Sequence, residues 1–218
     1  MSDVNSSFKL KRSQREADII AKASKMFPKQ GIELVKMTDV ATASGVGVAS
    51  LYRYFGTKVN LALSVGALMW RRFNETFAEN LTAEFSSKNG ISQMEELLGL
   101  YVFMYRTHPE FISFLDELDH MVLSTQPDEA RLAEYDAEVM RFFPLFAASY
   151  TKGVADGTIR DDINFMLYYQ AVSHSLMGVA QKLIRGEILP SDDFSQGWIE
   201  LQMAVDIAMH FLEPVPSA

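Results

Sequence analysis

Few side chains in this chain are of types and spacings that could do chemistry, and they are unevenly spread. No cysteine occurs in its 218 residues, which excludes thiolate metal sites, cysteine nucleophiles and disulfide staples. The four histidines, His108, His120, His174 and His210, are scattered. One trio, Asp116, Asp119 and His120, has the i, i+3, i+4 spacing that puts all three on one helix face. That face would suit a metal or a cationic ligand. No second histidine or carboxylate pair of ligand spacing supports it, so it reads as a solvated face, and neither metal nor cofactor is expected. Gly-x-Ser-x-Gly, HExxH, a glycine-rich phosphate loop and an evident paired acid set are all missing from the sequence, so no enzyme is expected.

Charge is more informative. The net charge of −8 divides into +5 from residues 1–60, with ten Lys or Arg against five Asp or Glu, and −13 from residues 61–218, with ten against twenty-three. A basic first quarter on an acidic chain points to contact of that segment with nucleic acid or an anionic membrane surface. The amino terminus has no apolar signal region, and the longest mostly apolar stretch, Leu61 to Trp70, is far shorter than the roughly 20 residues that span a bilayer. The expectation is a soluble, cytoplasmic protein with no membrane partner.

The elements that must position these groups are helical. Hairpin signals such as Asn-Gly and Asp-Gly are absent between alternating apolar runs. Ser13-Gln14-Arg15-Glu16 has capping-box spacing, which predicts a first helix over 13–28 with an apolar stripe of Ala17, Ile20, Ala21, Ser24 and Phe27, ended by Pro28 and Gly31. Residues 1–12 and the tail from Pro214 to Ala218 are expected to fray. Two short helices follow, Thr38 to Ser44 with Thr38 as N-cap, and Val48 to Phe55. Longer ones are expected at 57–86, 91–107, 109–124, 128–156, 161–186 and 192–213.

Two short helices meeting at a glycine turn have the geometry of a helix-turn-helix. Close helix contact needs a small residue, supplied by Ala41, and the turn needs a residue tolerant of positive φ, supplied by Gly45. Val40, Val46, Leu51 and Tyr54 have the spacing of inward positions against the first helix, and Leu51 and Phe55 read as packing residues.

Across residues 15–61 the sequence resembles the DNA-binding domain of the TetR (tetracycline-repressor) family of bacterial regulators. The matching positions include Arg15, Ile20, Ala23, Phe27, Gly31, Thr38, Val40, Ala41, Gly45, Val46, Leu51, Tyr52, Tyr54, Phe55, Lys58 and Leu61. Gly47 departs from the family's usual Ser or Thr, and Pro28 stands where proline is rare. The resemblance implies an all-α fold: an N-terminal arm and DNA-binding domain over 1–56, and a larger helical effector-binding and dimerisation domain over 57–218. It also implies that the helix of Val48, Ala49, Ser50 and Arg53 enters the major groove behind Gly47. Phosphate contacts fall to Thr38, Tyr52 and Lys58, with an arm of Lys9, Lys11 and Arg12 at the backbone or minor groove.

Residues 61–218 hold twelve Phe, six Tyr, two Trp and nine Met, enough to fill a bundle and line a cavity. The family resemblance implies a small-molecule effector among the middle helices. Candidate pocket walls are Trp70, Phe73, Phe77, Tyr101, Met104, Tyr105, Phe111, Phe114, Met121 and Phe142. The last two helices suit a homodimer, with a small strip of Ala171, Ser175 and Gly178 beside Val172, Leu176 and Val179, and a stripe of Trp198, Leu201, Val205, Ala208 and Leu212. The expected function is a ligand-responsive, dimeric DNA-binding repressor with a pseudo-palindromic double-stranded operator, released by a small, largely apolar or aromatic effector, with helix 57–86 as the lever. A helical protein–protein adaptor that retains the helix-turn-helix, and an all-helical enzyme, are the alternatives.

Overall fold

The computed structural model describes residues 2–80 and 83–214, so the end of the chain from 215 lies outside the described residues. Every regular element among them is helical: α1 (Ser2–Gln30), α2 (Met37–Ala43), α3 (Val48–Phe55), α4 (Lys58–Asn80), α5 (Ala83–Ser87), α6 (Gly90–Thr107), α7 (Pro109–Ser124), α8 (Glu129–Val139), α9 (Phe143–Ala155), α10 (Phe165–Arg185) and α11 (Gly197–Leu212), with a 3-10 turn at Met140–Phe142. None of these helices is long and apolar enough to cross a membrane. The chain divides into two compact units, Met1–Asn74 with Phe114–Met140, and Glu75–Ser113 with Arg141–Ala218.

The first helix corrects the expected 13–28. It starts at Ser2, so residues 2–12 are helical rather than frayed. No glycine or proline interrupts the chain before Pro28, and Glu16, read as half of a capping box, instead bonds Arg131. Pro28 does not stop the helix. It falls in the last turn, where its missing N–H forfeits a single bond, and the helix closes on Gly31, whose N–H donates to the Phe27 carbonyl at 2.9 Å with φ at +88°. The buried stripe is Ile19, Ala23 and Phe27, with Ala17 exposed and Ile20, Ala21 and Ser24 half-buried.

In the first unit α2 packs against α1, and α3 against α2. Val40, Ala41, Leu51 and Phe55 are buried, whereas Val46 and Tyr54, expected inward, are only half-buried. The N-cap of α2 is Lys36 and not Thr38; Asp39 caps the turn by accepting from the Lys36 N–H at 3.1 Å. Gly45 adopts φ +63° at the turn, the left-handed conformation that favours glycine. Gly47 precedes α3 in an extended conformation.

In the second unit α6 packs against α9, α10 and α11. Met94, Leu97 and Leu98 of α6 meet a core that includes Phe146, Leu176, Leu183, Leu201, Val205 and Leu212. The α6 N-terminus is tied down twice, because the Gly90 N–H donates to Asp156 Oδ2 at 2.8 Å and the Ile91 N–H to Thr158 Oγ1 at 3.2 Å. The expected helix 128–156 is divided in two at Met140–Phe142, since Pro144 opens α9 at a first-turn position where its lack of an N–H is harmless. Within the expected helix 57–86, Lys58–Asn80 and Ala83–Ser87 are helical, and residues 81 and 82 lie outside the described residues.

Candidate nucleic-acid interface and effector residues

Helix α3 is amphipathic over only eight residues. Its inner face, Leu51 and Phe55, is buried, and its outer face leaves Val48, Ala49, Tyr52 and Arg53 exposed with Ser50 half-exposed. Arg53 Nη2 donates to Ser50 Oγ at 3.2 Å, so the serine oxygen and the guanidinium form one polar patch on the next turn. Thr38 is exposed at the start of α2. Thr38, Val48, Ala49, Ser50, Tyr52, Arg53 and Lys58 are therefore all carried by the first unit, on α2, α3 and the first turn of α4.

Lys58 has a more defined environment than its spacing indicated. Its Nζ donates to the Glu33 carbonyl at 2.9 Å. Partial burial lowers its pKa from the usual lysine value, against the opposing pull of Glu33 and Glu117. The ammonium thus closes the loop between α1 and α2 while standing in the first turn of α4, where the helix dipole favours an anion.

A cationic cleft was not legible in the sequence. Lys11, Arg12, Gln14, Arg15 and Asp18 of α1 line it together with Arg53 and Tyr54 of α3, around a volume of about 760 Å³. The guanidinium of Arg12 lies 5.9 Å from the centre of the Tyr54 ring. Reading residues 1–12 as frayed removed the helical periodicity that aligns Lys11 and Arg15 with α3. The side chain of Lys9, the third basic group of the expected arm, lies outside the described residues.

The ten candidate pocket residues fall into two sets. The first unit holds Trp70, Phe73, Phe114 and Met121; the second holds Phe77, Tyr101, Met104, Tyr105, Phe111 and Phe142. Trp70 and Phe73 meet edge to face at 6.1 Å, and Phe77 and Phe142 at 5.2 Å. Phe73, Met104, Phe111 and Phe114 are buried in the folded chain, and Met121 is half-buried. The Tyr101 phenol is pushed up to about 12 by burial, moderated by a hydrogen bond with Ser173, so it is a neutral hydrogen-bonding group at physiological pH. Tyr135, not among the candidates, packs over Gly66 and bonds with Trp70, and burial raises its pKa. An apolar groove of about 780 Å³ lies between α7 and α8, lined by residues including Leu118, Val122, Leu123, Leu132 and Tyr135.

No cluster of three or more potential ligands occurs among the described residues, and His120 Nδ1 lies 2.7 Å from the Asp116 backbone carbonyl.

The profile of the family described as bacterial regulatory proteins, tetR family, matches residues 19–65, from the buried stripe of α1 to the second turn of α4. The HTH-type transcriptional repressor KstR2 of Rhodococcus jostii is 24% identical over 160 residues, covering 73% of this chain and 74% of its own. The HTH-type transcriptional repressor NicS of Pseudomonas putida is 29% identical over 154 residues, covering 70% and 69%. The crystal structure of Thermus thermophilus FadR, a TetR-family transcriptional repressor in complex with lauroyl-CoA, matches with a TM-score of 0.60 at 16% identity, over 93% of this chain and 98% of that one. At that identity the likeness is one of fold.

Proposed function

We infer that this chain, which belongs to the tetR family of bacterial regulatory proteins, is a ligand-responsive DNA-binding repressor of transcription. The observation that carries the reading is the outer face of α3: small and polar side chains project from a helix whose Leu51, on the opposite face, is fully buried. Val48 and Ala49 suit a thymine methyl, and Ser50 and Arg53 suit base edges or phosphate. Thr38, Tyr52 and Lys58 hold the backbone on either side, and Lys11, Arg12 and Arg15 extend the positive surface along α1. The relatives are transcriptional regulators rather than enzymes.

TetR regulators act as dimers and bind small-molecule effectors. Dimerisation through α10 and α11 is supported by the exposure of Leu167, Met203, Ile207 and Phe211 beside the exposed strip of Ala171, Ser175 and Gly178. Leu201, Val205, Ala208 and Leu212, read from the sequence as part of this face, are buried within the second unit. A two-fold dimer presents two α3 helices to successive major grooves about 34–36 Å apart, which calls for a pseudo-palindromic operator. The aromatic residues of α4, α6 and α7 suit a largely apolar or aromatic effector, and the FadR neighbour holds lauroyl-CoA. Effector binding shifts the population toward dimers whose α3 spacing no longer matches the operator, with α4 as the connecting helix.

Selection of bound duplexes from a randomised DNA pool tests the reading. A repressor recovers a pseudo-palindrome; folded protein that recovers no sequence above background contradicts it.

A further inference from the structure

The far end of α3 is held by a side chain distant in sequence. Arg131, in the first turn of α8, donates through Nη2 to the Tyr54 carbonyl at 3.1 Å and to Glu16 Oε1 at 2.6 Å, and through Nη1 to Ser64 Oγ at 2.6 Å. Its guanidinium carbon also lies 4.9 Å from the centre of the Phe55 ring. One planar fork thus gathers α1, α3 and α4, and its donors are directed inward. The side chain is 19% exposed and that of Glu16 27%.

A second path reaches the same helix end. Asn60 Nδ2 donates to the Phe55 carbonyl at 2.8 Å, and Asn60 Oδ1 accepts from the Asp128 N–H at 2.9 Å, the residue that caps α8. Two carbonyls of the last turn of α3 therefore accept from groups on, or bonded to, the start of α8, the Phe55 carbonyl accepting also from the Thr57 N–H at 2.7 Å. Those carbonyls have no partner within a helix that ends at Phe55, and a cation there complements the dipole.

We propose that Arg131 is a positioning residue for operator binding: it sets the angle of α3 on α1 and α4, and α8 is the element through which that angle is controlled. The proposal rests on the reading of α3 as the DNA-contacting helix. The role is indirect, because Nη1 and Nη2 of Arg131 are turned to Ser64, Glu16 and the Tyr54 carbonyl within the unit. A planar fork serves three acceptors at fixed directions, which a lysine ammonium cannot reproduce.

The test uses the full-length protein and the duplex that the wild-type protein selects. Arg131→Met keeps much of the side-chain volume and removes the fork; Arg131→Lys restores charge without the fork. Affinity per folded molecule, well below the unfolding temperature, is expected to fall about ten- to hundredfold in Arg131→Met, as for the loss of a charge-assisted hydrogen bond. Arg131→Lys is expected to lie between that variant and wild type. The salt dependence of binding is expected to stay at the wild-type slope, since no phosphate contact is removed. A purely architectural role would lower the unfolding temperature and leave affinity per folded molecule unchanged, which would overturn the proposal. If Arg131→Met does not fold, Glu16→Gln leaves the arginine in place and weakens one arm of the fork; wild-type affinity in that variant would also overturn it. Failure of the wild-type protein to select any duplex would remove the operator reading itself, a result separate from equal binding by wild type and variants.

Discussion

Lys58 Nζ donates to the backbone carbonyl of Glu33 at 2.9 Å, joining the first turn of α4 to the loop that follows α1. The ammonium is thereby held at the edge of the surface proposed to face DNA. Lys58→Ala is expected to weaken binding to all duplexes and to lower the salt slope by about one unit. Anisotropy titrations at several salt concentrations measure it, and an unchanged slope would assign Lys58 to loop closure alone.

Tyr52 is 47% exposed on the outer face of α3. Tyr52→Ala should reduce DNA affinity about three- to tenfold, the scale of one hydrogen bond, without altering base preference. Its unfolding temperature should stay close to wild type, because little packing is lost.

The face of α11 proposed to dimerise can be separated from its core face by two substitutions. Ile207 is 71% exposed and Leu201 is fully buried. Ile207→Glu should give a folded monomer in sedimentation experiments. Leu201→Ala should instead cost about 2–5 kcal/mol of stability through the cavity it leaves. A folded dimer in Ile207→Glu would move the interface elsewhere.

Gly90 has the tightest surroundings of the glycines described in the second unit. A methyl group there would overlap the backbone N and Cα of Gly153, which cannot move aside as a side chain can. Gly90→Ala should destabilise by about 1–3 kcal/mol or more, read as a fall in unfolding temperature.

Between α10 and α11, Asp192 Oδ2 accepts from the Ile188 and Leu189 N–H groups and from Lys182 Nζ, each at 3.0 Å. The backbone donors, then Lys182, hold its carboxyl down at about 2. A depressed folded pKa means that its contribution to stability is complete above the unfolded value of about 4 and is lost as pH falls through about 2. Carbon-detected NMR titration should find Asp192 as a low-titrating carboxylate, and Asp192→Asn should flatten the stability curve across that window. A midpoint near the ordinary aspartate value would contradict this.

What the sequence disclosed depended on how local each determinant is. α7 runs Pro109–Ser124 as expected, because Pro109 opens it and Gln126-Pro127 closes the pattern within a few residues. Ala41 and Gly45 specify the helix-turn-helix through contacts a few positions apart. By contrast, Glu16 pairs with Arg131 across 115 positions and Glu117 accepts from the Ile32 N–H at 2.5 Å across 85; no periodicity encodes either. α11 misled for a different reason. It carries two apolar stripes, Leu201-Val205-Ala208-Leu212 inside and Met203-Ile207-Phe211 outside, and hydrophobicity alone does not tell which one faces the core.

Base reading by α3, as one half of a two-fold pair, is measured by parallel selection from a randomised duplex pool with wild-type protein and Ser50→Ala. Wild type is expected to recover two half-sites related by two-fold symmetry, and Ser50→Ala to change base preference at symmetric positions within them. An unstructured pool from folded wild-type protein, or an identical motif from both proteins, would contradict it.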